Sequence, residues 1–200
     1  MTNENLFRSI SFVLTLSAFS ISVYFRSKAR KTSGKVSTES EGKLILLLRS
    51  VFGFGMWLSV VLYFINPGWL QWSQYPAPDW LRGTALGLMA LCLPGFYWIF
   101  YSLGKNITPT TATRESHALI TRGPYRYIRH PLYTFGFVFF ISLSLAAANW
   151  FTLILMIVGY GAILARTPIE EKQLVKKFGD DYRDYMELTG RYLPKCANRR

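Results

Sequence analysis

The chain has 200 residues, half of them apolar and 17% charged, with a formal charge of +12. The apolar residues come in long blocks separated by short polar stretches, which excludes an ordinary soluble core. The basic residues cluster in a few of those stretches rather than along one polar face, which argues against nucleic acid as a partner. Cys92 and Cys196 have no Cys or His spacing for a disulfide framework or a metal site.

The first apolar block is residues 6–25, "LFRSISFVLTLSAFSISVYF". A helix rises about 1.5 Å per residue, so about 20 apolar residues cross a hydrocarbon core of about 30 Å. The basic run "RSKARK" follows this block instead of preceding it, which favours a retained helix over a cleaved leader. Segment 26–43 is rich in Ser, Thr and Lys. The second block, 44–65, carries Arg49 near its start, where a long side chain can snorkel to the interface. Loop 66–80 has no Lys or Arg, and its Trp69, Trp72, Tyr75 and Trp80 suit an interfacial belt.

The third block, 81–103, contains Gly83 and Gly87, a GxxxG spacing expected to pack closely inside the bundle. Blocks 131–148 and 150–165 are short and separated by Asn149, so they predict a tight helical hairpin. The expectation is an all-α polytopic membrane protein with five transmembrane helices. It divides into a three-helix region, 1–103, and a second unit, 104–200. Most of the 23 basic residues lie in 26–43, in 104–130 and from Arg166 onward. Basic loops stay in the cytoplasm, which predicts the N-terminus outside and the tail inside, with anionic membrane lipids attracted to that face.

Thr167, Pro168, Ile169 and Glu170 read as the N-cap and first turn of a new helix, with Glu170 completing a capping box. Leu174, Val175 and Phe178 continue an apolar face, Gly179 stops it, and Asp180 is placed to cap a second short helix with Tyr182, Tyr185 and Met186. The tail is thus expected as two short amphipathic helices on the cytoplasmic side.

The densest chemistry is "RGPYRYIRHPLY", 122–133, at the mouth of the fourth block. Pro131 suits the first helical turn and puts His130 at the N-cap, where free N–H groups favour an anion. Arg129 could clamp a carboxylate or phosphate. The hairpin would return Glu170 and Glu171 to the same level. A cationic end, an anionic end and several aromatic rings suit S-adenosyl-L-methionine, which carries a carboxylate, an amine and a sulfonium that tyrosine faces attract.

"LGKN", "HALITRGPYRYIRHPLY" and "EEKQLVKKFGDDYRDYMELTGRYLP" together resemble the isoprenylcysteine carboxyl methyltransferase family, itself related to the phospholipid N-methyltransferases. The resemblance covers about 102–195. Leu188 stands where an arginine is expected and Arg191 falls nearer the final proline, an ending more like the prokaryotic members. The resemblance implies an integral membrane methyltransferase that uses S-adenosyl-L-methionine. It implies cofactor contacts at His117, Leu119, Gly123, Tyr125, His130, Tyr133 and Glu170, with Arg129 and Glu171 at the reaction and no metal. It also implies a lipid-like or prenylated small molecule as the acceptor, either a carboxylate or an amine. An amine must first lose a proton, for which Glu171 is the candidate base. A monomer or weak dimer is expected. An NADPH-dependent membrane reductase and a non-catalytic membrane protein are the alternatives.

Overall fold

The computed structural model describes residues 3–31, 43–107 and 118–195. His117, Cys196, the middle of the first basic loop and the side chain of Arg49 lie outside the described residues. The main helices are α1 (Glu4–Lys31), α2 (Lys43–Ile65), α3 (Asp79–Leu103), α4 (Pro131–Ala146), α5 (Trp150–Phe178) and α6 (Asp180–Leu188). Short 3-10 turns occupy Pro67–Ser73, Gly104–Asn106 and Gly123–Arg126. Extended pairing among the described residues is limited to two isolated bridges.

Each apolar block is a helix. Three spans are long and apolar enough to cross a membrane, Glu4–Ala29, Asp79–Leu103 and Trp150–Phe178; Ser50–Ile65 and Pro131–Ala146 are shorter apolar helices. Large apolar side chains such as Phe54, Trp80, Leu91 and Ile157 stay exposed on the outside of the bundle. A water-soluble monomer avoids so much exposed apolar surface.

Helix α3 packs on α1 and α4, and α2 packs on α5. The core joins Val60, Met89, Phe96, Phe139, Leu143 and Met156 from all four of α2 to α5. Gly95 permits the closest approach of α3 and α4: a Cβ there would collide with the ring of Phe135. Gly83 and Gly87 do not have this role. Both are exposed, with no atom within 4 Å of a built Cβ. Their spacing puts them on the outer face of α3, so the close packing expected of them within the bundle is not found.

At the end of the bundle away from the basic loops, Arg82 is buried. Its Nε donates to the Ala146 carbonyl at 2.7 Å, its Nη2 pairs with Glu4 at 2.7 Å, and its guanidinium lies 4.2 Å from the Phe7 ring centre. Tyr63 donates to the same Glu4 at 3.2 Å. One buried cation therefore ties α1, α2, α3 and the end of α4 together. Asn149 caps α5 by accepting from Thr152 N–H, and its amide donates to Leu70 O and Ser73 Oγ.

The tail departs from expectation. No helix begins at Pro168; α5 runs through it to Phe178, and the Thr167 hydroxyl donates back to Ile163 O at 3.2 Å. The capping box therefore does not form. Tertiary bonds outweigh the local signal, because only a continuous α5 presents Glu170 and Glu171 together to the start of α4. Among the described residues the tail holds one separate short helix, α6, and Asp180 lies in its first turn without a side-chain capping bond.

Candidate active site

Pro131 opens α4 and His130 is its N-cap residue, as the sequence predicts, although the imidazole makes no capping bond. The backbone around it is clipped to the turn that follows α6. Arg129 N–H donates to Gly190 O at 2.8 Å and His130 N–H to Arg191 O at 3.0 Å. Thr134 Oγ1 donates to Tyr192 O at 2.7 Å and the Tyr185 hydroxyl to Tyr125 O at 2.6 Å. The "TGRY" segment that follows α6 is thus built into the floor of the site.

Glu171 lies at the centre of this clip, 3% exposed. Its Oε1 accepts from Arg129 Nε at 2.9 Å and meets His130 Nε2 at 3.3 Å, while Oε2 accepts from Arg191 Nη2. Arg129 also donates through Nη1 to the carbonyls of Met186 and Thr189. A buried carboxylate is tolerated when paired and hydrogen-bonded, and both of its oxygens are. The bond to Glu171 raises the Arg191 guanidinium above its ordinary value.

Glu170 faces the other way. It lines a cavity of about 260 Å³ and accepts from the Tyr133 hydroxyl at 2.7 Å. Glu170, expected both in a capping box and as a cofactor contact, lies at the cavity wall, whereas Glu171, expected at the reaction, has its oxygens bonded inside the clip. His130 also lines the cavity, with its ring stacked on Tyr133 (5.3 Å between centres, 3° between planes). Leu119, Tyr125, Arg129, Arg166, Tyr182 and Tyr185 complete much of the wall. Gly123 does not line it. With φ +61° it turns the chain against α3, where a Cβ would collide with the Ser102 hydroxyl. Packing around the phenols raises Tyr125 and Tyr182 above the ordinary tyrosine value and Tyr185 to about 12, so all three are neutral donors.

A second cavity of about 390 Å³ lies beside the first, among α1 to α5. Its walls are mainly apolar, with Phe19, Met56, Trp57, Phe139 and Met156 among them. Arg26, Phe100, Leu132 and Tyr133 line both cavities. Among the described residues no group of His, Cys, Asp and Glu could hold a metal.

Sequence reasoning missed Arg26, Arg166 and Arg191 as site residues. Arg26 and Arg166 count in the sequence only toward the orientation charge, and Arg191 only as an arginine displaced toward the final proline. The available signal was position: Arg26 and Arg166 end apolar blocks at the same level as the "RHP" turn.

A family model described as phospholipid methyltransferase matches residues 81–181, just over half of the chain. The chain belongs to the phospholipid methyltransferase family. In this family member the matched range holds Arg129, His130, Glu170 and Glu171, and leaves Arg26 and Arg191 outside it. A protein-S-isoprenylcysteine O-methyltransferase of Dictyostelium discoideum is 26% identical over 142 residues, 63% of this chain and 55% of that one. The nickel-cobalt-cadmium resistance protein NccN of Alcaligenes xylosoxydans xylosoxydans is 25% identical over 72% of this chain and 65% of its own length. The chain therefore spans between half and two thirds of the length of these relatives. Among solved structures, the eukaryotic intramembrane Ras methyltransferase (isoprenylcysteine carboxyl methyltransferase) shares the fold. Its TM-score is 0.52 at 21% identity, over 78% of this chain and 54% of that one.

Proposed function

We propose that the chain is an integral membrane methyltransferase. It takes S-adenosyl-L-methionine in the polar cavity and an acceptor with an apolar tail in the neighbouring one. The observation that carries this is the wall the two cavities share, at Arg26, Phe100, Leu132 and Tyr133. A charged, water-borne donor and a lipid-like acceptor need separate entries and one meeting point, and two abutting cavities of opposite polarity supply them.

The donor set of the polar cavity fits the cofactor. Glu170 suits its ammonium, the wall of His130 and Arg166 suits its carboxylate, and the tyrosine faces suit its sulfonium. When bound, the cofactor supplies an electrophilic methyl group. Tyr133, fixed by Glu170 and by stacking on His130, lines the boundary between the two cavities. Leu132 and Phe100 keep water from the throat. Arg129 and Glu171, expected at the reaction, act as positioning residues that hold His130 and the 186–192 turn in place.

In this reading residues 104–200 form the cofactor cassette, and 1–103 build much of the acceptor cavity. Helices α2 and α4 also cross the bilayer, giving five spans with α4 and α5 as a hairpin. The basic loops and the polar cavity face the cytoplasm.

Calorimetry on the full-length protein in detergent tests the proposal. S-adenosylhomocysteine should bind, and Glu170→Gln should weaken it about tenfold or more, the loss of one charge-assisted hydrogen bond. Binding of NADPH without S-adenosylhomocysteine would overturn it. Mass spectrometry of lipid extracts incubated with methyl-labelled cofactor identifies the acceptor.

A further inference from the structure

We propose that the apolar cavity is built for a tail that is not plain hydrocarbon: partway along it, a neutral carbonyl oxygen is received by the hydroxyls of Thr15 and Tyr160. This rests on the two-cavity methyltransferase reading and names a feature of the acceptor's tail, not of its reacting end.

Both residues line the cavity, and among the described residues neither hydroxyl has a hydrogen-bond partner. Thr15 is 7% exposed. A helical Ser or Thr can donate its hydroxyl proton to the carbonyl four residues back. Ser17, Thr84, Ser102, Ser144 and Thr167 all do so. Thr15, two residues before Ser17 on the same helix, does not. Ser11 and Thr152 also lack a partner, but neither lines the cavity. The other hydroxyls at this cavity are engaged: Ser22 accepts from Arg26, and Tyr133 donates to Glu170.

Thr15 and Tyr160 belong to one stretch of the cavity. Arg82 ties Glu4 to the Ala146 carbonyl at the outer end of the bundle. From that tie, helical rise puts Thr15 about 16 Å along α1 and Gly136 about 15 Å along α4. The Tyr160 ring packs on Phe137, the neighbour of Gly136, with centres 4.7 Å apart. Gly136 and Gly53 of α2 both line the cavity, and a Cβ built on either meets no atom within 4 Å. Missing side chains therefore leave room where the hydroxyls lie. Tyr133, at the shared wall, is about one helical turn from Gly136, which sets the depth of the oxygen below the throat.

A buried hydroxyl left unbonded is costly, so the pair calls for an occupant. A carbonyl oxygen has two lone pairs and accepts from both hydroxyls, leaving no donor over. A trapped water brings two further donors and finds only these two side chains, fewer than the about three bonds that buried water makes. A charged group there would be unpaired in an apolar wall, so the group is neutral.

The test titrates two isomers, 6-oxododecan-1-ol and 11-oxododecan-1-ol, into the full-length protein in non-ionic detergent with S-adenosylhomocysteine present. They are alike in composition and polarity and differ in where the carbonyl falls along the tail. The wild type should bind the 6-oxo isomer at least about fivefold more tightly. Thr15→Val and Tyr160→Phe each remove one hydroxyl at nearly constant shape. Each should reduce the preference, and the double variant should erase it. S-adenosylhomocysteine affinity within about twofold of wild type, with an unchanged thermal midpoint, shows that the variants fold. A preference that survives the double variant overturns the proposal. Equal binding of the isomers by a wild type that binds S-adenosylhomocysteine also overturns it, and leaves the methyltransferase reading standing. If the preference follows the two hydroxyls but no S-adenosylhomocysteine binds, the tail subsite stands and the methyltransferase reading falls.

Discussion

Glu171→Gln should destabilise the protein strongly, whereas Arg191→Ala, which removes one of Glu171's own partners, should do little. Glu171 and Arg129 are a buried pair, with side chains 4% and 7% exposed. Removing one member of such a pair leaves an uncompensated buried charge, at a cost of about 3–5 kcal/mol. Gln can still accept from Arg129, and the Met186 and Thr189 carbonyls still receive Nη1, so the lower end, about 3 kcal/mol, applies. The Arg191 side chain is 41% exposed, and an exposed partner is worth about 0–1 kcal/mol. For a chain of this size the first loss lowers Tm by about 6–12 °C and the second by no more than about 4 °C. Thermal unfolding in detergent, followed by tryptophan fluorescence, measures both. Equal shifts, or a larger one for Arg191→Ala, would refute the reasoning that Glu171 is the buried tie of the clip. Glu170→Gln is the internal control: it should lose ligand affinity with little loss of Tm.

Arg82→Met should cost about 3 kcal/mol, since it strands Glu4 beside Tyr63 and frees the Ala146 carbonyl; chemical denaturation in detergent would show it, and an unchanged midpoint would count against the buried cluster. Gly95→Ala should cost about 1–3 kcal/mol through overlap with Phe135, and Phe135→Leu in the same chain should recover much of it. Alkaline titration of tyrosinate absorbance should show a late fraction from Tyr125, Tyr182 and Tyr185, since burial holds these phenols neutral. Their folded values lie above the unfolded value of about 10, so their contribution is intact below that pH and is lost as the pH rises through about 12 for Tyr185.

Much of the frame was legible in the sequence. Helix-length apolar blocks announce helices because the bilayer admits little else, and Pro131 fixes the start of α4 because a proline lacks the N–H a helix interior requires. The "RHPLY" and "EEKQLVKKFGDDY" motifs located the two halves of the site. Local signals failed where long-range bonds competed with them. Thr167–Glu170 has the chemistry of a capping box, yet α5 continues, because the bonds of Glu170 to Tyr133 and of Glu171 to Arg129 and His130 hold it in register with α4. Gly83 and Gly87 have the spacing of a packing motif, but spacing does not say which face of α3 meets a neighbour; Gly95 has no such motif and makes the close contact.

The sequence by itself determined which segments leave water and which residue types gather at their polar ends, since hydropathy and charge act locally along the chain. Only the tertiary structure decided how adjacent carboxylates divide their roles. Glu170 and Glu171 are neighbours in sequence, but about 100° of helical rotation separates them. One faces the cavity and Tyr133, the other the buried arginines. Likewise α1 continues past its apolar block to Lys31, which puts Arg26 at the wall between the cavities, at a position that charge counting assigned to a loop.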